Sequence, residues 1–151
     1  MFTNNVKFFQ KAVVFHPLST RFLILKRVEH DTSAPGQWDF PGGGIDFGEL
    51  HLAALEREIW EETGLTIVNQ QVIEVMTRFD ASRQIYSIFV AHQCQATHAE
   101  VRLSEEHTAY RWVTASEWAQ MDAPPSLKQV VARLTAVTND GVLEAQRRRD
   151  Q

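Results

Sequence analysis

Apolar and polar positions fall into short runs separated by turn residues, and the runs predict a mixed set of strands and helices. Lys7 to Phe15 is rich in β-branched and aromatic residues and predicts a strand. His16-Pro17-Leu18-Ser19-Thr20 is a turn with proline as its breaker. Arg21 to Arg27 (RFLILKR) follows as a second strand, so the pair reads as a hairpin. Val28 to Gln37 is polar, contains Pro35-Gly36 and reads as a loop. Trp38 to Phe40 is a short extended piece, because Pro41 steers Phe40 away from helical geometry. A helix is predicted from near Glu49 to near Thr63. Leu52, Leu55 and Ile59 recur at i, i+3 and i+7 as its buried stripe, and Gly64 follows as a left-handed C-cap.

Beyond Gly64, Thr66 to Phe79 and Gln84 to Ala96 predict two long strands joined by Asp80-Ala81-Ser82-Arg83, and Thr108 to Val113 predicts another. Thr114 or Ser116 can cap a short helix through Met121. After Pro124-Pro125, the spacing of Leu127, Val130, Val131 and Leu134 predicts a further helix. Strands flanked by helices give an α/β (α+β) class. Residues 1–137 read as one domain and 138–151 as a polar tail, expected to fray and carrying Arg147, Arg148 and Arg149 near its end.

Composition changes this picture little. A length of 151 residues suits one domain with a sizeable core. A formal net charge of −4 weighs against nonspecific nucleic-acid binding, which draws on Lys and Arg. Cys94 is the single cysteine, so no intramolecular disulfide forms, and it reads as a buried small hydrophobe. The N-terminus lacks the apolar core of a signal peptide and no apolar run reaches the length of a membrane helix, so a cytoplasmic setting is expected.

The chemistry concentrates between Gly43 and Leu65, GGIDFGELHLAALEREIWEETGL. Glu58, Glu61 and Glu62 stand at i, i+3 and i+4, which gathers three carboxylates on one helical face. Such crowding makes sense around a hard divalent cation with oxygen ligands, and Mg2+, or Mn2+, suits work on phosphates. As a group the carboxylates centre roughly 100° from the Leu52–Leu55–Ile59 stripe, so they are expected to line a cleft beside the core, with Glu61 and Glu62 off the buried stripe. Arg57 points away from that face. Gly42, Gly43 and Gly44 allow a sharp bend and close approach of a ligand, and their N–H groups can face phosphate oxygens near the helix start.

The spacing from Gly43 through Glu49 and Arg57-Glu58 to Glu61-Glu62-Thr63-Gly64-Leu65 resembles the Nudix box at every defining position. Seven fixed positions would coincide by chance with a probability on the order of 10⁻⁸ per start point at average residue usage. The resemblance implies a sandwich of a mixed sheet between helices, with the box as a loop–helix–loop. It implies metal ligands at Glu58, Glu61 and Glu62, with Glu58, Glu61 and Glu106 as the catalytic candidates. It also implies that Arg57 pairs with Glu49 to fix the loop onto the helix. A second stretch, Leu103-Ser104-Glu105-Glu106-His107-Thr108-Ala109-Tyr110-Arg111-Trp112, resembles a segment of several Nudix hydrolases, including dinucleoside tetraphosphatases, which bring one more carboxylate to the metal or the water. Glu106 holds that position, Glu105 is expected to face solvent on the opposite side of an extended segment, and His107 is expected to be structural.

Arg27, at the end of its strand, is a candidate for a substrate phosphate, together with Gly42, Gly43 and Gly44. Trp38 and Phe40 are expected to pack in the core, with Phe79 and Tyr110 as further candidates to stack on a base. The implied reaction is Mg2+-dependent hydrolysis of a diphosphate linkage in a small nucleoside diphosphate derivative. The stretch Gln37 to Gly43 resembles the MutT-type nucleoside triphosphate pyrophosphohydrolases and the Glu105–Trp112 stretch the dinucleoside polyphosphate hydrolases. Ser126-Leu127-Lys128 lacks the asparagine with which MutT reads an oxidised guanine. The alternative is a nucleotide sensor or interaction module without turnover, usually marked by a degraded box. A homodimer is left open, and neither a membrane nor a nucleic acid is expected as partner.

Overall fold

The computed structural model describes residues 5–31 and 34–134. The tail 138–151 lies outside the described residues. Strand β1 (Val6–Phe15) is the centre of the sheet, and β2 (Phe22–Arg27), β3 (Trp38–Asp39) and β4 (Gly42–Gly43) follow before helix α1 (His51–Thr63). Then come β5 (Ile67–Asp80), β6 (Ile85–Ala96), β7 (His107–Val113) and the short helix α2 (Ala115–Ala119). Residues 125–134 are helical.

The sheet runs β3-β2-β1-β6-β5, with β4 paired to β1 and β7 to β2. β1 and β6 are parallel and the other pairings antiparallel, so the sheet is mixed. Both faces are covered, which is why Phe22-Leu23-Ile24-Leu25 reads as an unbroken apolar run and is buried throughout. Alternation assigns the two faces. Ala12, Val14, Leu23, Leu25, Cys94 and Ala96 pack with Leu55, Ile59 and Leu65 on the α1 side. Val13, Phe22, Ile24, Phe89 and Ala91 pack with Trp118, Leu127, Val130 and Val131 on the other. The result is the expected α+β sandwich with helices on both faces.

Three expectations are corrected. The hairpin of β1 and β2 is paired at its closed end, Phe15 opposite Phe22, and then splays. Into the gap goes Gly42–Gly43, which forms a short strand against Gln10 and Lys11 rather than a free loop. Helix α1 starts after Leu50, near Glu49 as expected, and the Glu49 carboxylate accepts the Asp46 N–H at 2.8 Å to close a turn ahead of the helix. Leu52 is exposed, and the buried positions are Ala54, Leu55, Ile59, Glu62 and Thr63. Leu52 lies in the first helical turn, where the sheet beneath offers Gln10, hydrogen-bonded to the His51 carbonyl, rather than an apolar side chain. The other features follow the pattern: Gly64 caps α1 at φ 69°, Thr114 caps α2 in a reciprocal box with Glu117, and Cys94 is buried.

Candidate active site

A cavity of about 450 Å³ opens where β1 and β2 splay, lined by Phe9, Lys11, Arg27, Gly42, Gly43 and Gly44 and by Glu58, Glu62, Glu106 and His107. Helix α1 brings its carboxylates to this cavity in unequal measure. At about 100° per residue, Glu62 lies only about 20° around the helix from Leu55, Glu58 about 60° and Glu61 about 120°. Burial follows that order: the side chains of Glu62, Glu58 and Glu61 are 5%, 21% and 52% exposed. Glu62 is therefore on the buried face, against the expectation that it lies off it. Glu61 does not line the cavity.

Arg57 does not stay clear of the carboxylates. Its Nε and Nη2 donate to the two oxygens of Glu49, each at 2.8 Å, and Nη1 reaches Glu58 at 3.0 Å and Glu61 at 3.2 Å. The planar guanidinium thus clamps the turn before α1 and the outer carboxylates of the helix at once. Hydrogen bonds from Arg57 and from the Asp46 N–H hold Glu49 down to about 2.

Packing requires glycine at Gly42, and at Gly43 a side chain would displace the Glu58 carboxylate. A Cβ at Gly42, whose φ is 144°, would fall 2.2 Å from the Gln10 carbonyl oxygen, and one at Gly43 would fall 2.6 Å from the Glu58 carboxylate. The Gly42 N–H points to Glu62 Oε1 at 3.3 Å, so it faces a carboxylate.

Glu106 reaches the cavity through backbone bonds. Arg102 N–H donates to the Thr63 carbonyl and Ser104 N–H to the Glu62 carbonyl, which satisfies the C-terminal end of α1. The Val28 N–H binds the Glu106 carbonyl at 3.2 Å and ties the same loop to the end of β2. Glu105 and Glu106 form a turn rather than an extended segment, and Glu106 lines the cavity while Glu105 does not.

His107 belongs to the site, which its sequence context did not disclose. The β2–β7 register shifts between Lys26, opposite Ala109, and Arg27, opposite His107, leaving Thr108 as an extra residue. Such a bulge re-aims side chains, and here it sets His107 beside Arg27. His107 Nε2 lies 3.7 Å from Glu62 Oε2, and its Nδ1 is buried without a hydrogen-bond partner. Sequence reasoning also missed Lys11, Asp39 and Phe9. The first signal available was Lys11, a cation set in the central strand next to the apolar run Ala12-Val13-Val14. Phe9 stacks on Phe89 with ring centroids 5.0 Å apart. Trp38 and Phe40 are core residues, while Phe79 and Tyr110 are exposed and line no part of the cavity.

Burial pushes Glu62 up to about 8, an effect that Lys11 opposes and Asp39, Glu58 and Glu106 reinforce. Burial also raises Glu58, against the pull of Arg57. His107 is pushed down to about 4, by burial first and by Lys11 next. Glu62, Glu106 and His107 each offer one ligand atom, all within 4.8 Å of one another. A buried carboxylate held near neutrality, with further carboxylate oxygens beside it, fits a hard divalent cation. Among the described residues, no helix is long and apolar enough to cross a membrane.

A family model described as the NUDIX domain matches residues 9–134. The nucleoside triphosphatase NudI of Escherichia fergusonii is 31% identical over 110 residues, 67% of this chain and 78% of that protein. NudI of Salmonella heidelberg is 30% identical over 120 residues, 74% of this chain and 85% of that one. The crystal structure of a MutT protein from Methanosarcina mazei is 25% identical and superposes with a TM-score of 0.78, covering 91% of this chain and 99% of the other.

Proposed function

Since the chain belongs to the Nudix family and is a pyrophosphohydrolase of it, we propose that it hydrolyses nucleoside triphosphates in a Mg2+-dependent reaction at the cavity between Glu62, Glu106 and Arg27. The observation behind this reading is the convergence of Glu58, Glu62 and Glu106 on a single cavity whose remaining wall holds Lys11 and Arg27. Relatives named as nucleoside triphosphatases favour a triphosphate over a dinucleoside polyphosphate.

Glu58 and Glu62 are the helix carboxylates we assign to the cation, with Glu106 and His107 completing the donors at the cavity, while Glu61 stands outside the lining on the Arg57 clamp. When bound there, Mg2+ or Mn2+ supplies positive charge at the phosphate oxygens and acidifies water. Glu58 and Glu106, both at the cavity wall, are the candidates to orient the attacking water and take its proton. Arg57 and Glu49 keep the helix carboxylates in register with the glycine strand. Arg27 holds the phosphate chain, with Gly43 and Gly44 at the adjoining wall of the cavity.

The test is a panel of nucleoside triphosphates, nucleoside diphosphates, dinucleoside polyphosphates and nucleotide sugars, each with Mg2+ and with excess chelator, reading phosphate and pyrophosphate separately. Triphosphates are expected to turn over fastest, with turnover lost in chelator and restored by Mg2+ or Mn2+. Equal turnover in chelator sinks the metal assignment. Tight nucleotide binding with no turnover would establish a sensor instead.

A further inference from the structure

Behind the cationic wall of the cavity sits Asp39, 4% exposed and outside the lining itself. Its Oδ2 accepts from Lys11 Nζ at 2.6 Å and from Arg27 Nη1 at 2.6 Å, and its Oδ1 accepts the Phe40 N–H at 2.8 Å. One buried oxygen thus gathers two cations from two strands, Lys11 from β1 and Arg27 from β2, where those strands have parted. Arg27 is held on its other arm by Asp31 at 2.7 Å.

Asp39 and Asp31 together balance the two cations, so charge alone calls for nothing more. What points to an anion on the cavity side is the donor capacity that these carboxylates leave unused. Lys11 has three N–H donors and, among the described residues, spends one on Asp39. Arg27 Nε is buried without a partner. Both side chains line the cavity, whereas Asp39 touches it nowhere.

We propose that Asp39 is a positioning residue: it holds Lys11 and Arg27 together as a two-cation clamp for the phosphate chain of the substrate, apart from the carboxylates of α1. This rests on the reading of the cavity as a triphosphate site and adds to it Lys11 as a phosphate contact and Asp39 as the group that sets the distance between the two cations. The carboxylates and the clamp then meet the same polyanion from two sides, so chain length becomes a determinant of affinity. A triphosphate gains from the clamp where a monophosphate does not reach.

Inorganic tripolyphosphate with Mg2+ is titrated calorimetrically into the wild type, Asp39→Asn, Lys11→Met and Lys11→Arg, alongside steady-state kinetics on nucleoside triphosphates. Asp39→Asn and Lys11→Met are expected to raise both KM and the tripolyphosphate Kd about tenfold or more, the scale of a charge-assisted hydrogen bond, with kcat near the parent value. Lys11→Arg restores most of the loss. If Asp39→Asn fails to fold, because it leaves two cations poorly compensated, Lys11→Met retains the Asp39–Arg27 pair and decides the matter. A lowered Tm with unchanged KM and Kd overturns the clamp and leaves the network as scaffold. A wild type that turns over no triphosphate yet binds tripolyphosphate with this variant pattern refutes the proposed function and leaves the clamp standing.

Discussion

Glu62 and His107 face each other across 3.7 Å, both buried, and burial drives each towards its neutral form. In the metal-free protein burial thus favours a neutral acid beside a neutral imidazole over a salt bridge. A divalent cation would change the balance by favouring the ionised carboxylate, so metal binding and proton release from Glu62 are coupled.

The metal-free protein should carry the signature of this pair in its pH-dependent stability. Glu62 has a folded pKa of about 8, above the ordinary 4.5, so the unfolded chain loses its proton first and stability falls as pH rises between those values. His107 has a folded pKa of about 4, below the ordinary 6.5, so stability rises with pH across that range. The two slopes oppose each other up to about pH 6.5 and the Glu62 slope alone remains above it. Urea titrations in chelator should show a decline of roughly 2 kcal/mol from pH 6.5 to 8, absent in Glu62→Gln. A flat profile in the wild type would show that Glu62 is already ionised without metal.

With Mg2+ present, Glu62→Gln is expected to lower kcat by at least ~10²-fold, the scale of a lost electrostatic or acid–base group. The amide fits the same buried space and keeps an acceptor for the Gly42 N–H, so the chelated variant should melt at or above the parent temperature. Near-parental turnover in a folded Glu62→Gln protein would remove Glu62 from the metal site.

Glu106→Gln should depress kcat while circular dichroism and melting stay close to the parent, and Glu105→Gln should do little, since exposed substitutions usually stay within about ±0.5 kcal/mol. Paired kinetics at saturating Mg2+ separate the two. Damage in Glu105→Gln alone would mean that this turn presents the other carboxylate to the cavity.

Arg57→Lys keeps the charge but not the planar fork that spans both oxygens of Glu49 and reaches Glu58 and Glu61. Cation affinity, read from the Mg2+ dependence of turnover, is expected to weaken about tenfold, as for groups that orient metal ligands. Unchanged Mg2+ dependence would confine Arg57 to a bystander role.

Local order was largely legible in the sequence. Strands at Val6–Phe15, Phe22–Arg27, Ile67–Asp80 and Ile85–Ala96, the helix capped by Gly64 and a short helix capped at Thr114, one of two caps the sequence allowed, follow from periodicity, breakers and caps, all of which act within a few residues. The carboxylates of the box were legible for the same reason, because helical spacing fixes their relative angles. Taken one by one from Leu55, those angles also separate buried Glu62 from exposed Glu61; averaging the three concealed it. Leu52 was misread because periodicity gives an angle around the helix but not which turns overhang the core.

The rest depended on pairing between distant segments, which no local pattern specifies. The splay of β1 from β2 makes room for Gly42–Gly43 and opens the cavity. The extra residue at Thr108 sets His107 beside Arg27, and backbone bonds from the 102–106 loop to the end of α1 deliver Glu106. Lys11, Asp39 and Arg27 lie on three strands and meet only when the sheet is assembled. The sequence by itself determined the carboxylates and glycines of the box, since residue type and helical spacing are local, but not Lys11, Asp39 or His107. Tertiary structure alone decided which of them share a cavity, how deeply each is buried and hence which protonation state each prefers, because desolvation and neighbouring charge come into being only when the chain closes on itself.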